Sequence, residues 1–442
     1  MRFKTALVPF IFLLSFSIVF RTAPASGEPA GVLTLKESIS VALKDNLSLK
    51  AAREKMAQSA FVKKQARAEF FPKLSTSYGY TRLSEQATFR STLMPGMGIA
   101  VSSQDNYQWK GTLTQPLFTG FALLSSYRLA ELGVDRSRMD LELKELDLAL
   151  KVKEAYFNVL IADRGVEVAR KEVEFLESSM NVASNFYKVG MIPVNDLLKV
   201  EVELANARQN LVKALNRAHL ARSAFNTLLS RPIDAPVNLK DMLAYKPERG
   251  DYGKYLSRAL QERPEVRLLE ISILQADQEI RLARSKDYPE IAFTYDYIKE
   301  GDRADVSGSA FHDAGRWEAT VGLTWTFWEW GKTHYSVKEK ESLKKELIQI
   351  KAALEDSIKL EIKEALLNLE TAEKNIPTTR KAVEQGEENL RVNEERYKAQ
   401  VTTITEVLDA QALLTRARVN YYRALYDHNL ARAKLERALG TY

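Results

Sequence analysis

The stretch Tyr187–Arg208, YKVGMIPVNDLLKVEVELANAR, returns without a gap as Tyr397–Arg418, YKAQVTTITEVLDAQALLTRAR. A constant offset of 210 pairs Tyr187 with Tyr397, Leu198 with Leu408, and Ala207-Arg208 with Ala417-Arg418. Each copy sits where one very long helical pattern stops at a short turn and a second begins. A helix–turn–helix repeated at that distance marks a duplicated architecture.

Working outward, the duplication covers nearly the whole chain. Ala42-Leu43, Pro72, Tyr78 and Tyr80 match Ala259-Leu260, Pro289, Tyr295 and Tyr297 at an offset of 217. The apolar spacing predicts a helix from Leu35 that runs to Phe71-Pro72, and its copy from Tyr255 to Pro289. After each proline the period changes from helical to alternating. Leu74, Thr76, Tyr78 and Tyr80 form one such run and Ile291, Phe293, Tyr295 and Tyr297 its copy. Polar loops follow, and second alternating runs return through Tyr107, Trp109, Gly111 and Leu113, and through Trp317, Ala319, Val321, Leu323 and Trp325. Runs of about ten residues with one apolar, aromatic-ended face are the signature of membrane-spanning β-strands. Residues 121–188 and 332–399 are helical throughout, with apolar residues at mixed three, four and seven spacings that point to coiled-coil packing. Rods of this length reach about 100 Å at 1.5 Å per residue. Pro377 and Gly386 predict a kink or break in the second rod. Return helices are expected over 193–230 and 403–440.

The expected organisation is a signal peptide over 1–25, repeat one over 26–230, a Pro- and Gly-containing linker over 231–253, and repeat two over 254–442. The hairpins fall at about 73–116 and 290–327. The signal reading rests on Arg2 and Lys4, the apolar run Ala6–Phe20 and the small-x-small site Ala23-Pro24-Ala25. Its removal leaves 61 basic residues against 58 acidic ones, interleaved rather than patched, so nucleic acid is not an expected partner. There is no cysteine. Disulfides, thiolate metal sites, a cysteine nucleophile and an acylated N-terminal cysteine are thereby excluded. His219, His312, His334 and His428 are dispersed, and no phosphate loop or nucleophile elbow is present. No catalytic residue, cofactor or metal site is expected.

These motifs, with QPLFTGF (Gln115–Phe121) echoed as WTFWEWG (Trp325–Gly331), resemble the TolC family of outer membrane efflux proteins. The likeness implies a mainly α fold with a transmembrane β-barrel part: a duplicated helix–β-hairpin–long helix–helix repeat in a trimeric conduit. A coiled-coil tunnel would cross the periplasm to meet a periplasmic adaptor protein and an inner-membrane pump. Independently, four strands are too few for a membrane barrel, and open edges in lipid leave backbone groups unpaired, so copies must assemble. The resemblance places adaptor docking at Gly190, Met191, Ile192 and Pro193 and at Gln400, Val401 and Thr402. It places a periplasmic gate at Asp196, Tyr397, Glu406 and Asp409. Gly190 suits a positive-φ turn and Gln400 does not, so the first turn is expected to be the tighter one. Thr403 to Glu406 is also spaced as a capping box, an alternative role for Glu406. Tyr107, Trp109, Trp317 and Trp325 are candidates for the membrane-interface aromatics. The rival reading is a soluble periplasmic coiled-coil scaffold or adaptor. Drugs, metal ions and a secreted protein remain open as cargo.

Overall fold

The structure is a computed structural model that describes residues 32–90, 98–245 and 250–442. The expected signal peptide lies outside the described residues. Helices α1 (Leu35–Asp45) and α2 (Leu47–Ala68) lead into strands β1 (Lys73–Arg82), β2 (Thr88–Arg90), β3 (Gly98–Ala100) and β4 (Asp105–Thr119). Helix α3 (Ala122–Lys188) and its return helix α4 (Val194–Leu228) complete copy one. Copy two repeats the order as α5 (Tyr252–Glu262), α6 (Pro264–Arg284), β5 (Glu290–Gly301), β6 (Gly315–Thr324), α7 (Lys332–Lys398) and α8 (Ile404–Ala438). Among the described residues no helix is long and apolar enough to cross a membrane.

Both opening helices break where one continuous helix was expected. At Asn46 the backbone turns extended (φ −60°, ψ 128°), and its side chain accepts from the Ser48 amide at 2.9 Å while donating to the Leu228 carbonyl. Its partner at offset 217 is Arg263, which precedes Pro264 and is held out of the helical region by it. The asparagine satisfies the new helix start by side-chain capping, while proline at the first position of α6 has no amide to satisfy. In contrast, α7 runs unbroken through Pro377 and Gly386. The Thr378 and Thr379 hydroxyls donate back to the Lys374 and Asn375 carbonyls around the proline. Gly386 serves packing: a Cβ there would lie 3.3 Å from the Leu414 Cα on α8.

Two cores occupy equivalent positions on the two rods, and they match residue by residue. In copy one Ala42, Leu49, Leu148, Val152, Phe225 and Leu229 are buried together. At offsets 217 and 210 these become Ala259, Val266, Ile358, Ile362, Leu435 and Leu439, also one cluster. Each of the larger side chains among them contributes about 1.5–3 kcal/mol by leaving water. A third cluster lies at the far end of the rods, around Ala183, Val200, Leu390, Tyr397, Ile404, Val407 and Leu414.

The four long strands form one antiparallel sheet in the order β1-β4-β5-β6. The expected hairpins are β1–β4 and β5–β6, and β4–β5 joins the two copies into a continuous wall. One face carries Tyr78, Tyr80, Tyr107, Trp109, Tyr295 and Trp317, with Tyr80 and Tyr107 stacked at 4.6 Å. The other carries Gln108, Lys110, Thr112, Asp296 and Glu300, cross-linked by Lys110–Asp296 at 2.8 Å and Gln108–Glu300 at 2.6 Å. Below the sheet α2, α3, α6 and α7 follow in the same order, each packed on the next. Further down, α4 packs on α3, α3 on α8 and α8 on α7. The chain is therefore a single curved wall with β1, α2 and α4 along one margin and β6 and α7 along the other.

Candidate functional site

The end of the wall opposite the sheet is made by the two helical turns. In copy one the Met191 amide donates to the Phe186 carbonyl at 2.8 Å and the Gly190 amide to the Tyr187 carbonyl at 2.9 Å. In copy two Val401 donates to Arg396 at 2.9 Å and Gln400 to Tyr397 at 2.9 Å. Both are complete Schellman closures, with the αL residue at φ 74° for Gly190 and φ 60° for Gln400. The expected difference in tightness is absent. The hydrogen bonds of the closure hold Gln400 in a conformation its Cβ disfavours.

The side chains differ where the backbones do not. Tyr397 is 7% exposed, 5.7 Å from the Phe186 ring, and its hydroxyl has no hydrogen-bond partner among the described residues. Burial, and secondarily the Asp196 carboxylate, raises that hydroxyl above its ordinary pKa. Its counterpart Tyr187 is exposed. Asp196 lies in the first turn of α4, where a negative charge suits the helix dipole, 3.5 Å from the Lys199 Nζ. Lys199 also donates to the Thr405 hydroxyl at 3.1 Å, which bridges α4 to α8. Asp196 and Tyr397 are thus brought together, whereas Glu406 and Asp409 stand on the exposed side of α8. Thr403 caps α8 without a side-chain hydrogen bond, so the expected capping box is not formed.

Asp409 borders a groove of about 540 Å³ between α4 and α8, floored by α3 and lined also by Glu172, Lys199 and Glu203. Burial, and then the neighbouring Glu203, raises the Glu172 carboxyl above the usual range. Sequence reasoning missed these three. Lys199 was open to discovery, since at offset 210 it occupies the place of Asp409 with the opposite charge. Glu172 and Glu203 belong to helices whose relative rotation no motif reports. A larger groove of about 760 Å³ continues up α3, rimmed by Arg164, Lys213, Arg217 and Arg423. At the sheet end Tyr107 and Trp109 are half-buried, and Trp317 and Trp325 are exposed. Trp325 sits just beyond β6. Among the described residues no cluster of His, Asp and Glu could hold a metal ion.

A short antiparallel wall with one aromatic face, carried on a coiled rod about 100 Å long, defines the class: a duct-forming protein of the outer membrane. The chain belongs to the outer membrane efflux protein family, whose profile matches residues 38–231 and 255–441. The cobalt-zinc-cadmium resistance protein CzcC of Cupriavidus metallidurans is 22% identical over 417 residues, spanning 93% of this chain and 91% of its own. Among solved structures, the Campylobacter jejuni CmeC outer membrane channel superposes with a TM-score of 0.79 at 18% identity, over 92% of this chain and 85% of that one. The open state of the Neisseria gonorrhoeae MtrE outer membrane channel gives 0.74 at 20% identity, over 92% and 89%. The protein is an outer-membrane efflux channel and not an enzyme, and the soluble-scaffold reading is not favoured.

Proposed function

We propose that three copies of the chain close edge to edge into one duct, the exit of a tripartite efflux or secretion system. The carrying observation is the pair of open margins. Among the described residues no strand pairs with the outer edge of β1 or β6, and the helical margins lie below them on the same two sides. Such edges are untenable in lipid, at several kcal/mol per unpaired group, and a head-to-tail ring satisfies them all. Three copies supply twelve strands, above the smallest membrane barrels.

In this reading the turns Gly190–Pro193 and Gln400–Thr402 form the periplasmic tip that meets a periplasmic adaptor protein, which links the duct to an inner-membrane pump. Asp196, Tyr397, Glu406 and Asp409 belong to the gate just above, where cyclic symmetry turns each carboxylate into a ring that favours cations. Tyr107, Trp109, Trp317 and Trp325 contribute to the aromatic belts at the membrane interfaces. Cell fractionation followed by size analysis in detergent tests the proposal. A heat-modifiable trimer in the outer-membrane fraction is expected, and a soluble monomer overturns it.

A further inference from the structure

The starts of α4 and α8 are equivalent in backbone and then diverge in charge. At an offset of 210, Asp196 matches Glu406 in the first helical turn, but three residues on Lys199 stands where copy two has Asp409. These two residues line one groove of about 540 Å³ between the helices, together with Glu172 and Glu203. Glu172 and Glu203 have Ala382 and Leu413 as their counterparts, so the carboxylates collect around the lysine. Among the described residues Lys199 is the one cation that lines the groove.

We propose that Lys199 is a selectivity residue of the duct, a tethered cation that competes with mobile cations for the Asp409 carboxylate and its neighbours. The inference rests on the gate reading above and adds the residue that limits the gate's hold on cations.

Three observations support that role. First, the ammonium group is held toward α8: Lys199 Nζ donates to the Thr405 hydroxyl at 3.1 Å. Thr405 and Asp409 are four residues apart, so they are neighbours on one face of α8. Second, no tight local pair cancels the charge. The Asp196 carboxylate lies 3.5 Å from Nζ, longer than a charge-assisted hydrogen bond, and the lysine side chain is half-exposed. Third, α4 and α8 alternate around a ring of three copies, so the Lys199 and Asp409 positions form one circle of alternating sign. Carboxylates alone in that circle would draw cations and retain them. An ammonium group among them repels a mobile cation over the same range in which they attract it.

Recordings in planar bilayers test this, with trimers purified in detergent and magnesium chloride as the blocking salt. Lys199→Gln removes the charge and keeps a long side chain with a donor for Thr405. It should lower the half-blocking Mg2+ concentration several-fold and move the reversal potential in a potassium chloride gradient toward that of K+. Lys199→Arg, which keeps the charge, should show the parental block, and adding Asp409→Asn to Lys199→Gln should cancel the gain. Thr405→Val removes the bridge and keeps the charge, so its block should stay parental. Unchanged or weaker block in Lys199→Gln, beside a weakened block in Asp409→Ala, overturns the inference and leaves the gate reading standing. So does an effect of Thr405→Val as large as that of Lys199→Gln, which would make the lysine a tie between helices and not a counter-charge. Unchanged currents in both Asp409→Ala and Glu406→Ala would remove the gate reading itself, and the inference with it.

Discussion

Acid should loosen the middle of the rod through one carboxyl group. Glu265, in the first turn of α6, accepts from Arg263 at 2.9 Å and lies 2.7 Å from an Arg437 nitrogen on α8. Burial alone would raise its pKa, but Arg263 and then Arg437 hold it at about 2 against an ordinary 4.5. The folded value is the lower one, so the stabilisation is complete above pH 4.5 and is lost as the pH falls through about 2. At about 1.4 kcal/mol per pH unit between those values, the carboxylate contributes about 3 kcal/mol per chain. Glu265→Gln should therefore be less stable than the parent by about that amount at pH 7. Arg263 and Arg437 would each keep one carboxylate, Glu361 at 2.6 Å and Asp147 at 2.8 Å. Denaturant unfolding in detergent, followed by helical circular dichroism from pH 7 to pH 2, measures the difference. The two stability curves should converge between pH 4.5 and pH 2. Glu370→Gln, which breaks a fully exposed pair with Lys374, should leave the curve in place. Parallel curves for Glu265→Gln and the parent down to pH 2 would refute the reasoning.

Three further outcomes are expected. Gln400→Gly should stabilise the tip and Gly190→Ala destabilise it in thermal melts, each by about 1 kcal/mol, because nothing lies within 4 Å of Gly190 and only backbone strain differs. Thr403→Ala should be neutral in thermal melts, whereas Thr34→Ala, which removes a formed capping box with Glu37, should cost about 1 kcal/mol. In planar bilayers Glu406→Ala and Asp409→Ala should weaken block by divalent cations and raise conductance, and unchanged currents would place both carboxylates away from the conduction path.

The duplication made most of the fold legible. The rods, the turns and the alternating runs all repeat at fixed offsets, and α3, α7 and the four long strands lie within a few residues of their expected places. What was misread is local. The break at Asn46 is a cap whose signal, asparagine two residues before a serine, is common in unbroken helices, and only the Leu228 carbonyl across the fold decides it. Pro377 was expected to break α7 because an isolated helix pays the full cost of a missing amide. Here α8 clamps the next turns through Gly386 and Leu414. At the tip, the turn positions were legible from the offset, but the burial of Tyr397 depends on how α3 and α7 rotate against each other.

That rotation is where a duplicated backbone acquires two chemistries. The closures at Gly190 and Gln400 share every backbone hydrogen bond, so a partner reading backbone shape would meet equal turns. One helical turn further in, equivalence ends. Lys199 stands where copy two has Asp409, Asp196 is paired where Glu406 is free-standing on the exposed face, and Tyr187 is exposed where Tyr397 is buried. In a ring of three, equal turns would carry alternating charge, with a lysine-bearing helix start beside an acidic one at each groove. Opposite charges at neighbouring pseudo-equivalent positions attract across the α4–α8 groove, which the Lys199–Thr405 hydrogen bond already spans within one chain. In the proposed duct, opening the tip would separate those helix starts. In the proposed gate Lys199 therefore acts beside the carboxylates, as the cation of the groove that they line.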